Sequence, residues 1–213
     1  MGKIKQGILG GFSGKVGTVI GSFWKGKAFM RGLTQSFHDA KTQEQLEQRA
    51  KFSLMAKFVS AIQGAAKIGF KDSENGTTAQ NEAFAYNIQN AVTGTYPSYA
   101  VDYPNVAMSM GALPNVENPT ATDDGSGHVE FTWNNNAGDS GAVANDEVFV
   151  VVYNHDKQKA VCILAAAKRA DQTYTFTTPT AWSSDTAHVY IAVKAEKSTT
   201  TSKSEYLGSV VLS

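Results

Sequence analysis

The sequence has little with which to crosslink itself. Its single cysteine, Cys162, excludes an internal disulfide, and the surrounding apolar run AVCILAAA predicts a buried, unreactive thiol. No apolar run reaches the length of about 18 residues that a membrane-spanning helix needs. With 42% hydrophobic and 18% charged residues among 213, the composition is that of a folded globular protein that depends on packing alone.

Acidic residues are missing from the first 38 positions. Residues 1–32 hold nine of the nineteen glycines. They also hold six basic residues: Lys3, Lys5, Lys15, Lys25, Lys27 and Arg31. Acids gather later, notably at Asp123, Asp124, Asp139, Asp146 and Glu147, and the net charge is zero. This polarity can steer the basic end toward nucleic acid or toward the acidic surface of another copy.

Residues 15–33 predict a β-hairpin. KVGTVIGSFW is rich in β-branched and aromatic residues, KGK can turn the chain, and AFMRGL can return antiparallel. A helix is the alternative, because five glycines from Gly7 to Gly21 share one helical stripe, but each would cost about 0.5–1 kcal/mol there. Glycine inside a strand indicates a bulge or a closely approaching backbone, so we expect this segment to be packed against something.

Two helices are predicted next, packed as an antiparallel pair. The first runs from Thr42 to about Ile68, and the second, AQNEAFAYNIQNAVT, opens at Thr77 with Gln80 and ends at Gly94. The first helix has a wide apolar stripe, which requires cover on more than one side. The stripe is formed by Leu46, Ala50, Leu54, Phe58, Ile62 and Ala65, widened by Phe52, Met55 and Val59.

Short strands at regular spacing fill the chain from about Pro114 onward. Seven of them, separated by turn-rich pieces, predict a β-sandwich. Their sequences are VENPTAT, HVEFTW, EVFVVVYN, AVCILAAA, TYTFTT, AHVYIAVKA and EYLGSVVL. Trp133 is the expected core anchor. The predicted class is therefore α+β, with an N-terminal hairpin and helical region over residues 1–113 and an all-β sandwich over residues 114–213.

The second half resembles a fibronectin type III domain, because it has seven short strands and lacks the cysteine pair of an immunoglobulin domain. The resemblance implies a module that binds or spaces rather than catalyses. The sequence departs from that pattern at the tyrosine corner, since Tyr190 is out of phase with Val189, Ile191 and Val193.

The whole chain also resembles a family of uncharacterised proteins of similar length from Bacteroidota. The features it shares are a Gly-rich start that ends in Trp24, Lys25 and Gly26, and the following Arg31. Two further shared phrases are QRAKF at residues 48–52 and AVTGTYP at residues 91–97. This resemblance implies an architecture and no activity.

No catalytic, cofactor or metal site is predicted. GDSG at residues 138–141 resembles a protease nucleophile segment but lies in a small predicted sandwich without room for the scaffold. Gly21, Gly26 and Lys27 have the spacing of a phosphate-binding loop, but Ala28 stands where Ser or Thr should hold magnesium. The histidines are far apart, which argues against zinc: His38, His128, His155 and His188. Asp and Asn residues of the turns, including Asp139 and Asp146, match no defined calcium loop.

We therefore expect a non-enzymatic structural or interaction protein that assembles with itself, for example in a virion or another repeating assembly of a phage or mobile element. The N-terminus lacks a secretory apolar core, since Lys3 and Lys5 are followed by GILGGFSG, so synthesis in the cytoplasm without export is expected. The contact would be made between Gly7 and Arg31, with Trp24 as its anchor. The interface candidates are Phe12, Val16, Phe23, Trp24, Lys25, Gly26, Lys27 and Arg31.

Two alternatives stay open. The six basic residues could bind phosphates while Phe12, Phe23, Trp24 and Phe29 stack on bases, as in single-strand binders. The competing interpretation of these aromatics is structural: one buried hairpin side made of Phe12, Val16, Val19, Phe23 and Phe29. The other alternative is a carbohydrate or cell-surface binding module that uses the loop at residues 134–146, with Trp182 supplying an exposed ring.

Overall fold

The fold is known from a computed structural model, which describes residues 3–4, 10–34, 36, 39–71 and 77–213. The chain forms two compact units, Met1–Thr42 and Gln43–Ser213. The predicted α+β class is confirmed, with an N-terminal hairpin, then helices, then a β-sandwich. The predicted division between residues 113 and 114 lies inside the second unit.

Within its described residues, the first unit forms a four-stranded antiparallel sheet in the order β1-β2-β3-β4. Its strands are β1 (Lys3–Ile4), β2 (Phe12–Val16), β3 (Val19–Trp24) and β4 (Lys27–Gly32). The predicted hairpin is β3–β4, closed by Lys25 and Gly26 at φ 46° and 77°. Positive φ at both positions is what a two-residue type I′ turn requires. The strand predicted over residues 15–24 is divided, because Gly17 at φ 57° begins a turn between β2 and β3.

Three α-helices of the described residues begin the second unit: α1 (Gln43–Ala61), α2 (Gln63–Gly69) and α3 (Ala79–Asn90). The first predicted helix is thus interrupted at Ile62, although the Ile62 N–H still bonds to the Phe58 carbonyl at 3.2 Å. The second predicted helix corresponds to α3. It is capped by Thr78 rather than by Thr77, because the Thr78 hydroxyl accepts a hydrogen bond from the Asn81 N–H. It ends at Asn90, before the β-hairpin of β5 (Val92–Thr95) and β6 (Ser98–Val101).

The seven predicted sandwich strands are all present and form two antiparallel sheets, ordered β10-β9-β12-β13 and β11-β8-β7. Their bounds are β7 (Glu117–Asp123), β8 (His128–Asn134), β9 (Glu147–Asn154), β10 (Lys159–Lys168), β11 (Thr173–Thr177), β12 (Thr186–Lys194) and β13 (Glu205–Val211). Short 3-10 turns precede β7, at Tyr103–Asn105, and flank β11, at Arg169–Asp171 and Thr180–Trp182.

The second unit has three layers, with the helices on the outer face of the four-stranded sheet. This sheet is apolar on both sides, which explains why every residue of β9 from Val148 to Asn154 is buried. The inner core holds Val129, Phe131, Trp133, Val148, Val150, Val152, Val189, Ile191 and Val193. The outer core joins Met55, Phe58, Val59, Ile62 and Ala83 of the helices to Phe149, Val151, Tyr153, Tyr190 and Ala192 of the sheet.

A buried amide holds the connecting segment, residues 102–116, which joins β6 to β7. The Asn87 side chain donates a hydrogen bond to the Ala107 carbonyl and accepts one from the Ala107 N–H, each at 2.9 Å. Since Asn87 is fully buried, these bonds satisfy a polar group that would otherwise be costly there. Next to it, a Cβ at Gly69 would lie 2.4 Å from the Met108 carbonyl oxygen, so only glycine fits where the connecting segment crosses α2.

Candidate functional site: the N-terminal sheet

The N-terminal sheet has one apolar face. Cross-strand partners share a face of a sheet, and Val16 pairs with Val19, Gly21 with Met30 and Phe23 with Ala28. This apolar face therefore consists of Val16, Val19, Phe23, Ala28 and Met30, together with Gly14, Gly21 and Gly32.

Residues 11 and 12 cross part of this apolar face. A Cβ at the buried Gly21 would lie 2.2 Å from the Phe12 carbonyl oxygen and 2.6 Å from the Phe12 ring. A Cβ at Gly11 would lie 2.7 Å from the Phe23 ring. The predicted close approach of backbone at strand glycines is thus confirmed at Gly21.

Much of the apolar face nevertheless stays open. Met30 is 73% exposed, and Val16 and Phe23 are each 49% exposed. The prediction of a buried hairpin side is therefore wrong in part, because three apolar side chains of this face expose about half of their surface or more to solvent.

The opposite, mixed face carries both charge and aromatic rings. Ile20 pairs with Arg31, Ser22 with Phe29 and Trp24 with Lys27, and Lys15 pairs with Ile20 from β2. Trp24 and Phe29 are 54% and 49% exposed. Phe29 was predicted to join Phe12, Val16, Val19 and Phe23, and this is a correction: the two-residue turn pairs Phe23 with Ala28, which places Phe29 on the other side.

The predicted interface residues thus separate into three groups. Val16 and Phe23 belong to the apolar face and Phe12 crosses it, whereas Trp24, Lys27 and Arg31 belong to the mixed face. Lys25 and Gly26 form the turn between them. Of the other basic candidates, Lys5 lies outside the described residues, and Lys3 is described by its backbone in β1 alone.

Charge divides between the two units. The first unit contains seven of the nineteen basic residues and one of the nineteen acidic residues, Asp39, which gives it a formal charge of +6. The second unit therefore carries −6, since the whole chain is neutral. The N-terminal sheet is thus a strongly basic element in a chain whose remainder is acidic.

The last residue of the loop at residues 134–146, Asp146, is held by hydrogen bonds within the protein. Asp146 is buried and accepts hydrogen bonds from the Arg169 guanidinium, the Val143 N–H and the Glu196 N–H. Asp146 is therefore committed to the protein rather than to a cation. Within the described residues no group of three His, Cys, Asp or Glu side chains could hold a metal ion.

Trp182 does not present its ring to solvent. It was expected to be an exposed ring beside the 134–146 loop, but it is 6% exposed and packs in the inner core with Val129 and Phe131. The local sequence TPTAWSSD is typical of a turn, which is why its burial could not be anticipated. The sandwich loops lose the aromatic platform on which that alternative depended.

Sequence reasoning missed a cluster of four tyrosines and two histidines on the outer side of the four-stranded sheet. The His188 ring stacks on Tyr103 with centroids 3.5 Å apart, and its Nδ1 lies 2.8 Å from the Tyr206 hydroxyl. The Tyr103 hydroxyl lies 2.7 Å from His155 Nδ1. Tyr190 and Tyr153 complete the cluster against Tyr206 and Tyr103. Long-range pairing of β9 with β12 brings these residues together, so no short motif signals them.

Burial shifts the pKa values of two members of this cluster, His188 and Tyr103. It lowers the pKa of His188 to about 4, aided by the nearby His155. Burial also raises the pKa of Tyr103, helped by the neighbouring Tyr153, Tyr206 and Asp156. Neutral His188 and neutral Tyr103 are therefore the forms that the fold favours at ordinary pH.

Cys162 is less buried than its apolar sequence context predicts. It is partly buried beside Gly64, where a Cβ on that glycine would lie 3.2 Å from the Cys162 Cβ. Burial raises the pKa of Cys162, so little thiolate forms at neutral pH.

None of the helices in the described part of the chain is both long and apolar enough to cross a membrane. The chain belongs to a family of unknown function, DUF6266, whose profile matches residues 11–208. The predicted membership of an uncharacterised family is thus confirmed. No protein of curated function matches the chain.

Proposed function

We propose that this protein is a non-enzymatic structural or interaction protein that associates with other copies of itself through its N-terminal sheet. The observation that carries the proposal is the open apolar face formed by Val16, Phe23 and Met30. Burying such a face contributes about 25 cal/mol per Å² of apolar surface removed from water. A second copy of the chain can bury this apolar face.

Charge complementarity supports a second copy as the partner. The first unit carries +6 and the second −6, so the first unit of one copy is attracted to the second unit of another. The strand β4 adds a further means of contact. All six of its residues are exposed, and within the described residues it pairs with β3 alone, so its outer edge can accept a strand.

A repeating assembly is the setting that we propose, such as a virion component of a phage or mobile element from Bacteroidota, made in the cytoplasm and then incorporated. The sandwich would be a fibronectin type III-like spacer. Its seven antiparallel strands in two sheets and its lack of a disulfide support that likeness. Tyr190 departs from the fibronectin type III pattern, since its side chain packs in the outer core with the helices.

Nucleic-acid binding is a second candidate, supported by the mixed face. Trp24 and Phe29 are half exposed on the same face as Lys15, Lys27 and Arg31. Rings that stack on bases beside cations that pair with phosphates are the combination used by single-strand binders. This candidate depends on the face opposite the apolar one, so the two functions can be tested separately.

The experiment compares two double variants of the full chain by light scattering after size-exclusion chromatography. F23S/M30S makes the apolar face polar, whereas K27Q/R31Q removes charge from the mixed face. We expect the wild-type mass to rise with concentration, F23S/M30S to remain a monomer and K27Q/R31Q to keep much of the association. A wild-type chain that stays monomeric at high concentration contradicts self-association.

Binding to a single-stranded oligonucleotide is measured with the same proteins. If the second candidate holds, affinity falls steeply with salt and is weakened in K27Q/R31Q but not in F23S/M30S. Absence of binding at low salt rejects it. Circular dichroism of each variant confirms that the second unit is folded.

A further inference from the structure

A cavity of about 410 Å³ opens beside the Tyr–His cluster in the second unit. Residues of α1, β6 and β9 form its wall, with Tyr103 from the connecting segment and Gln158 from the β9–β10 turn. Its volume falls in the range of about 300–1,000 Å³ that small-molecule sites occupy. The site is distinct from the N-terminal sheet, because every lining residue belongs to the second unit.

Aromatic rings make up much of the cavity wall. Phe58 and Tyr153 pack with ring centroids 4.8 Å apart, and Tyr103 lies 5.8 Å from Tyr153. Tyr99 lines another side. A hydrogen bond of 2.7 Å between the Tyr103 hydroxyl and His155 Nδ1 fixes both rings. Such rigid, flat surfaces suit a planar ring, since stacked or edge-on aromatic pairs are favourable.

The polar groups of the cavity favour an anion. Ser53, Lys57 and Gln158 line it, and none of their side chains has a hydrogen bond or ion pair with another described residue. Among the described lining residues none is acidic. Lys51 lies 5.0 Å from the centre of the Tyr99 ring and adds a second positive charge nearby. The Lys57 ammonium is therefore an exposed cation at the wall of an aromatic cavity, without an ion pair to another described residue.

We propose that this cavity binds a small planar aromatic carboxylate. The ring lies against Tyr99, Tyr103 and Tyr153, and the carboxylate accepts hydrogen bonds from the Lys57 ammonium and a neighbouring Ser53 or Gln158 side chain. Ring and charge are recognised by different walls, so each contributes separately to affinity. This ligand site requires no self-association and stands whether or not the N-terminal sheet docks another copy.

The test is an NMR titration of the full chain with 4-hydroxybenzoate, followed by amide chemical shifts. Two matched probes separate the contributions: 4-hydroxybenzamide keeps the ring without the charge, and acetate keeps the carboxylate without the ring. We expect saturable shifts of α1 and β6 amides with 4-hydroxybenzoate, and affinity at least about tenfold weaker for either control probe.

The matching variants are Lys57→Gln, which removes the cation at the cavity, and Lys67→Gln, which removes an exposed cation of α2 away from it. Lys57→Gln is expected to weaken 4-hydroxybenzoate about tenfold or more, whereas Lys67→Gln leaves the affinity unchanged. The proposal is overturned if 4-hydroxybenzoate gives no saturable shifts at millimolar concentration. It is equally overturned if the neutral amide binds as tightly, or if the two lysine variants behave alike.

Discussion

The guanidinium of Arg169 lies 3.3 Å from the carboxylate of Asp146, and both side chains are buried at one end of the sandwich. The guanidinium also donates to the carbonyls of Pro114 and Asn115, at 2.9 and 3.0 Å. The Trp133 indole in turn donates to the Arg169 carbonyl at 2.9 Å. One ion pair thus ties the start of the sandwich, the 134–146 loop and the 3-10 turn before β11 to the inner core.

Removing the charge of Asp146 should destabilise the protein strongly. Asp146→Asn leaves the buried guanidinium without a counter-charge, so we expect the free energy of unfolding to fall by about 3–5 kcal/mol. Denaturant unfolding followed by circular dichroism measures the change. Glu147→Gln is the control, because its partner Lys194 and Glu147 itself are 24% and 38% exposed, and a pair of this kind contributes about 0–1 kcal/mol. Equal losses in both variants would contradict the structural role of Asp146.

The sandwich could be predicted because its signals are local. Alternation on β12 places Val189, Ile191 and Val193 in the inner core, as expected, and puts Tyr190 on the other side. There the Tyr190 hydroxyl donates to the Tyr103 carbonyl at 2.9 Å, which fastens the sheet to the connecting segment. The sequence indicated the face of Tyr190 but could not identify its partner, which is 87 residues away.

The candidate sites were harder to predict, because each depends on pairing between distant segments. Phe29 was assigned to the wrong face, since a single residue of difference in the turn before β4 reverses every side chain of that strand. The Asp146–Arg169 pair and the His155–His188 contact depend on tertiary structure that short motifs do not report. Trp182 was placed in a turn, yet its ring reaches the core.

Gly21 should be essential to the N-terminal sheet. Replacing it with alanine puts a methyl group 2.2 Å from the Phe12 carbonyl, so residues 11 and 12 must move off the apolar face. Overpacking of this kind costs about 1–3 kcal/mol, and limited proteolysis should then cut residues 1–42 faster while residues 43–213 stay protected. In Gly32→Ala nothing lies within 4 Å of the new methyl group, so this variant should be cleaved like the wild type. If Gly21→Ala resisted proteolysis as well as the wild type does, this would show that residues 11 and 12 do not cross the apolar face.

Acid should weaken the second unit through His188. Its folded pKa of about 4 lies below the ordinary value of 6.5, because burial and the nearby His155 disfavour the charged ring. The unfolded chain therefore binds a proton that the folded chain does not, and stability falls as pH drops from about 6.5 toward 4. The denaturant midpoint of the wild type should decline through this window more steeply than that of His188→Gln, which shares all other titrating groups. Parallel pH profiles for the two proteins would mean that His188 is protonated as easily in the fold as outside it.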